Sequence, residues 1–166
     1  MIGIAILNWN GKKLLNKFLP SIIKYSKEAK IYVIDNNSSD GSQYFIKENF
    51  PTVKLIINDK NYGYAKGYNI GLKLINEEVL CLLNNDVMVQ KDWLNPIIKS
   101  FNKNESISIA QPLIIDYNNK DYFNYSGAAG GFIDKYGYPF CRGRIFNSIE
   151  VNKNQYNDLY KIFWAS

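Results

Sequence analysis

Asn84, Asn85 and Asp86 interrupt an apolar run, CLLNNDVMV, at residues 81–89. Cys81, Leu82 and Leu83 read as a strand buried on both faces, so the polar triplet falls where that strand ends. Two readings stay open for it. Asn-Asn-Asp is good turn chemistry, because these side chains bond their own backbone. It is also a set of hard oxygen donors, and a carboxylate beside amide oxygens suits Mg²⁺ or Mn²⁺ bridged to a diphosphate. The chain contains no histidine, which excludes a Ser-His-Asp triad, a Cys-His pair and any imidazole-held metal within it. Its chemistry must run on carboxylates, amides, hydroxyls, lysines, backbone groups or an oxygen-held cation, and this favours Asp86 as a ligand.

Two further clusters carry the same polar residue types. VIDNNSSDGS (33–42) puts Asp35 at the last position of a strand, where it offers an acceptor to an imide N–H or a ribose hydroxyl. The same residues also make an ordinary turn and helix cap. NYGYAKGYNIG (61–71) spaces Gly63, Gly67 and Gly71 as one stripe on a helix. Close helix–sheet packing accounts for such a stripe, at Gly71 above all, while a Gly-rich helix start lets backbone N–H groups approach a phosphate. No GxGxxG is present, and NGKKL (10–14) lacks the leading Gly and the Ser/Thr of a P-loop. A dinucleotide oxidoreductase and a P-loop nucleotidase are therefore disfavoured. Arg142 and Arg144, the only arginines, read either as diphosphate or acceptor contacts or as plain surface charge.

The elements that must position these clusters alternate along the chain. Apolar strands are expected at 2–9, 30–35, 53–58, the segment ending at Asp86, and 107–116. Helical spacing recurs between them, with Pro20 expected to kink or restart the first helix. Strand–helix alternation with nearly continuous apolar strands means a mainly parallel, open, Rossmann-like α/β sheet with helices on both faces. In such sheets ligands gather at the carboxyl ends of the strands. NWNG, DNNSSDGS and NND all fall at that edge. After residue 116 no period persists, and 117–166, rich in Gly and Tyr, is expected as an irregular wall beside it.

The chain has 166 residues, a net charge of +5 and a pI near 9.0. That length suits one domain, 1–166, with its regular core in 1–116. The charge favours anionic partners, but the lysines are scattered, which argues against nucleic acid. Cys81 and Cys141 show no metal-ligand spacing. No apolar stretch approaches the ~20 residues that span a bilayer, and MIGIAILNWNG reads as a first strand rather than a signal peptide. A cytoplasmic location is expected, with peripheral contact to the inner membrane face as an accessory expectation.

The ordered set ILNWNG (6–11), VIDNNSSDGS, NYGYAKGYNIG, LLNNDV (82–87) and WLNPII (93–98) resembles the inverting family 2 glycosyltransferases of the GT-A fold, in their rhamnosyltransferase-like branch. The resemblance covers almost the whole chain. It implies that Asn8, Trp9 and Asn10 line a nucleotide-base pocket with Asp35 and Asn37. By the same resemblance Asn61, Gly63, Lys66, Gly67 and Asn69 close over the ribose and diphosphate. Asn84 and Asn85 flank Asp86, which matches the last acid of the family's Asp-x-Asp and would reach Mg²⁺ or Mn²⁺. Asn84 replaces the first acid, so metal affinity is expected to depend on nucleotide.

The implied donor is a nucleoside-diphosphate sugar, of dTDP or UDP type if Asp35 takes an imide N–H. The implied acceptor is a glycan or a lipid-linked sugar. In the family the catalytic base follows in a segment beyond Ser166, so these residues are expected to bind donor without turnover. The alternatives are a non-catalytic nucleotide-sugar-binding or assembly module, and a sugar-phosphate nucleotidyltransferase, whose Gly-rich N-terminal loop is missing.

Overall fold

The structure is a computed structural model that describes residues 1–125 and 127–165. The chain divides into two compact units, Met1–Asp92 and Trp93–Ser166.

The first unit is a parallel sheet of four strands, β1 (Ile2–Asn8), β2 (Ala29–Asp35), β3 (Lys54–Ile57) and β4 (Val79–Asn84), in the order β3-β2-β1-β4. Three helices connect them: α1 (Lys12–Tyr25), α2 (Ser42–Asn49) and α3 (Gly63–Gly71), the last prolonged by a 3₁₀ turn over Leu72–Leu74. From β1 to β3 the chain moves one way across the sheet, then returns past β1 to lay down β4. Right-handed crossovers therefore put α1 and α2 on one face and α3 on the other. Ala5, Tyr32, Ile34, Tyr68 and Ile75 form the core under α3. On the alternate strand positions Ile4, Ile6, Ile31 and Val33 are buried, as are Leu15, Phe18, Leu19 and Ile22 of α1 and Ile46 of α2. At about 1.5–3 kcal/mol for each fully buried large aliphatic side chain, these two layers carry the fold.

Both N-terminal helices on that face start on one carboxylate. Asp40 accepts from Lys12 N at 2.9 Å and from Ser42 N at 2.9 Å, satisfying an otherwise unpaired first-turn donor of α1 and of α2. The helix α1 runs through Pro20 unbroken, with the ring on its exposed side.

Three sequence expectations are corrected here. β4 is an edge strand, and Leu80 and Leu82 are 41% and 52% exposed, so the strand is not buried on both faces. The apolar segment 107–116 adds no fifth strand. Pro112 has no N–H to donate, and the backbone bonds of 114–116 go locally: Ile114 N donates to Ala128 O, and Asp116 N to Tyr122 O. The regular core therefore stops short of residue 116. The segment expected to be irregular instead contains an antiparallel sheet.

That sheet belongs to the second unit, which opens with α4 (Asn95–Lys103), Pro96 standing in its first turn. β5 (Gly131–Ile133), β6 (Pro139–Cys141), β7 (Arg144–Ile145) and β8 (Ser148–Ile149) then pair in sequence order. Phe123, fully buried, forms its core with Ala128 and Ala129. No helix among the described residues is long and apolar enough to cross a membrane.

Candidate functional site

Asn8 ends β1 and Asp35 ends β2, and the two are register partners. The order of strands reverses between β1 and β4, so the C-terminal ends of these strands bound the crevice at the topological switch point. What fills that edge is a network of amides and hydroxyls around one carboxylate.

Asp35 is fully buried, and each of its oxygens takes two donors. Oδ1 accepts from Ser38 N at 2.7 Å and Gln43 Nε2 at 2.8 Å; Oδ2 accepts from Asn8 Nδ2 at 2.8 Å and Ser38 Oγ at 2.7 Å. A carboxylate has about four acceptor positions, and all are used. In this structure protein donors take the acceptor positions that a base imide N–H would use, and through them Asp35 ties the edge together.

Asn8 passes the network on. Its Oδ1 accepts from Asn85 Nδ2 at 3.1 Å, so one amide joins the ends of β2, β1 and β4. Asn10, with φ at 50°, sits in the left-handed region that asparagine tolerates. Its N–H donates to Ser38 Oγ at 2.8 Å and its Oδ1 accepts from Ser39 N at 2.8 Å. Asn37, at φ 58°, donates to Asp59 O. Trp9, between the two asparagines, is 56% exposed and offers an aromatic face at the edge.

A second pair of buried amides ties in α3. Asn58 Nδ2 donates to Asn36 Oδ1 at 2.7 Å, and Asn36 Nδ2 donates to Gly63 O at 2.9 Å. Asn61 Oδ1 accepts from Gly63 N at 2.8 Å and shapes the turn into the helix. Gly67 lies buried against Asn36, leaving no room for a side chain. Lys66 is exposed, its ammonium 4.9 Å from the Tyr62 ring, and Asn69 is exposed on α3.

The β4 end is held from both sides. Tyr68 O–H donates to Leu83 O at 3.0 Å and Tyr64 O–H donates to Asn84 Oδ1 at 3.2 Å, while Asn85 bonds Asn8. Burial pushes the Tyr68 hydroxyl pKa up, keeping it a donor. Asp86, next in the turn, is exposed. It is the carboxylate of this turn, with no hydrogen bond or ion pair seen among the described residues. No group of three His, Cys, Asp or Glu side chains able to hold a metal occurs among the described residues. The donor set at this turn is oxygen only, with one carboxylate. That fits Mg²⁺ or Mn²⁺ in the manner of ions that take few protein ligands and complete their shell with water and phosphate.

The structure thus brings Asn8, Asn10, Asp35, Asn37, Asn84 and Asn85 into one edge with the start of α3. Arg142 belongs to the second unit and is engaged within it. That guanidinium lies 3.9 Å from the Tyr160 ring centroid and 4.5 Å from that of Tyr156, and it donates to Ala129 O at 3.0 Å, all inside the second unit. Residues missed from the sequence are Ser38, Gln43, Asn36, Asn58 and Tyr68. Asn58 carried a usable signal, since it is a polar residue at the carboxyl end of an apolar strand, as Asp35 is.

Residues 3–163 match the glycosyl transferase family 2 model, and the chain belongs to that family. Among curated proteins it is 29% identical to the polypeptide N-acetylgalactosaminyltransferase 16 of Mus musculus over 125 residues, 73% of this chain and 21% of that one. It is 27% identical to polypeptide N-acetylgalactosaminyltransferase 4 of Caenorhabditis elegans, over 62% of this chain and 18% of that one. The chain spans about a fifth of the length of these relatives.

Among solved structures, Staphylococcus aureus TarS superposes with a TM-score of 0.56 at 19% identity, covering 69% of this chain and 21% of that one. The Pyrobaculum calidifontis mannosyltransferase PcManGT, solved with GDP-Man and Mn²⁺, gives 0.57 at 17% identity, covering 69% and 35%. At these identities the likeness shows the fold, which is the GT-A type expected: a parallel sheet flanked by helices on both faces.

Proposed function

We propose that this domain binds the nucleoside-diphosphate sugar of a metal-assisted, inverting glycosyl transfer, with a glycan or lipid-linked sugar as acceptor. The observation that carries the proposal is the convergence of four separate polar segments on one sheet edge, with an exposed carboxylate, Asp86, in the turn that follows β4. The amide network through Asn8, Asp35 and Ser38 is fixed before any ligand arrives, so its exposed neighbours Trp9, Asn10 and Asn37 meet the base side of the nucleotide at low ordering cost. The start of α3, from Asn61 through Lys66, offers backbone N–H groups and an ammonium to the diphosphate. Asp86 would hold Mg²⁺ or Mn²⁺ against that diphosphate, and such an ion neutralises charge on a departing diphosphate. The acceptor hydroxyl would lose its proton to a carboxylate general base.

A single carboxylate is a sparse metal site, and this favours one second reading, a nucleotide-sugar-binding module without catalysis. The test is calorimetric titration of UDP and GDP with Mn²⁺ and with chelator. Mn²⁺ should tighten binding and Asp86→Ala should abolish the enhancement. Saturable binding indifferent to Mn²⁺ would favour the module, and no nucleotide binding at all would sink both.

A further inference from the structure

Tyr64 and Tyr68 are one helical turn apart on α3, their rings edge to face with centroids 5.1 Å apart. They grip two consecutive residues of β4. The buried Tyr68 hydroxyl donates to the Leu83 carbonyl, and the Tyr64 hydroxyl donates to Asn84 Oδ1. Tyr68 is 2% exposed and makes part of the core, whereas Tyr64 is 62% exposed and contributes little burial. Tyr64 is therefore placed for its hydroxyl. Its target is the side-chain oxygen that stands two residues from Asp86.

We propose that Tyr64 sets the divalent-cation requirement of the nucleotide site by occupying Asn84 Oδ1. This inference rests on the donor-binding reading above. An amide oxygen already accepting a phenol proton is a poorer ligand, so a cation engages Asp86 without it and relies on the nucleotide's phosphates. Removing the phenol hydroxyl releases that oxygen to the cation. Tyr64 is a positioning residue in this scheme: it touches Asn84 and acts through it.

The experiment is a Mn²⁺ titration of UDP binding by calorimetry, on the native chain, Tyr64→Phe, Asn84→Ala and the double variant. Tyr64→Phe should lower the half-saturating Mn²⁺ concentration about two- to tenfold, the worth of one neutral hydrogen bond. UDP affinity in chelator is measured beside it, so that a change common to both conditions is separated from the shift in Mn²⁺ dependence. In the Asn84→Ala background the same substitution should have no effect, because the oxygen it frees is gone. Tyr68→Phe serves as the comparison, lowering the melting temperature through the core. A Tyr64→Phe half-saturation within twofold of native, or a shift that persists without Asn84, overturns the proposal while leaving the donor-binding reading intact. A native protein whose UDP affinity ignores Mn²⁺ overturns both.

Discussion

Asn8 and Asp35 stand opposite each other at the ends of neighbouring parallel strands, and Asn8 Nδ2 donates to Asp35 Oδ2 across 2.8 Å. With Ser38 and Gln43 this makes the carboxylate an internal joint of the sheet edge. Asp35→Ala strands buried donors from three residues and should cost on the order of 3 kcal/mol, read from chemical denaturation. UDP, dTDP and CDP should all weaken by one factor in calorimetry. A loss confined to UDP and dTDP would return Asp35 to the base pocket.

Gly67 and Gly71 separate packing from site shape. A Cβ on Gly67 would lie 2.7 Å from Asn36 Nδ2, forcing the amide off Asn58 and Gly63; on Gly71 it would lie 2.6 Å from Ile34 side-chain carbons. Each alanine variant should lose about 1–3 kcal/mol of stability. Only Gly67→Ala should also weaken nucleotide binding beyond the loss of folded protein, as measured at a temperature where both variants remain folded.

The double helix cap at Asp40 makes an acid-sensitive contribution. Desolvation raises its pKa, but the hydrogen bonds from Ser42 and Lys12 outweigh it, and the carboxyl lies below its ordinary value of 3.8. A depressed folded pKa stabilises the fold above the unfolded value and loses that contribution as pH falls through the folded one. Asp40→Asn should therefore melt below the native chain at pH 6, and the gap should narrow steadily below about pH 4. A gap constant down to pH 2 would show that the caps do not depend on charge.

Arg142 is held by aromatic faces and one carbonyl, with the Phe132 centroid 5.2 Å away as well. Arg142→Leu should destabilise the chain by about 1–2 kcal/mol. Arg142→Lys should recover little, since an ammonium lacks the planar stacking surface. Hydrogen exchange should rise first in β5 and β6. Unchanged exchange there would show that the ring contacts hold nothing in place.

The sequence by itself determined the parallel sheet and which polar clusters share its edge. Those follow from local causes: a continuous apolar run such as IGIAILN favours a buried strand, and NNSSDG favours a turn at the end of one. The absence of histidine likewise limited the chemistry before any contact was known. Only the tertiary structure decided which polar groups were already spent. Ser38, within VIDNNSSDGS, and Gln43, just after it, donate to Asp35, but the donor that joins it to the next strand is far away in sequence. Asn8 lies 27 residues away and Asn85 lies 77 residues from Asn8, and only the pairing of β2, β1 and β4 brings them together.

The exposure of Leu82 and the missing fifth strand have the same origin. An apolar alternation states that a segment prefers burial, but which neighbour covers it depends on strand order and on where backbone donors such as that of Ile114 find acceptors. In residues 131–149 the strands are only two or three residues long, too short to establish a period, so their sheet is set by pairing alone.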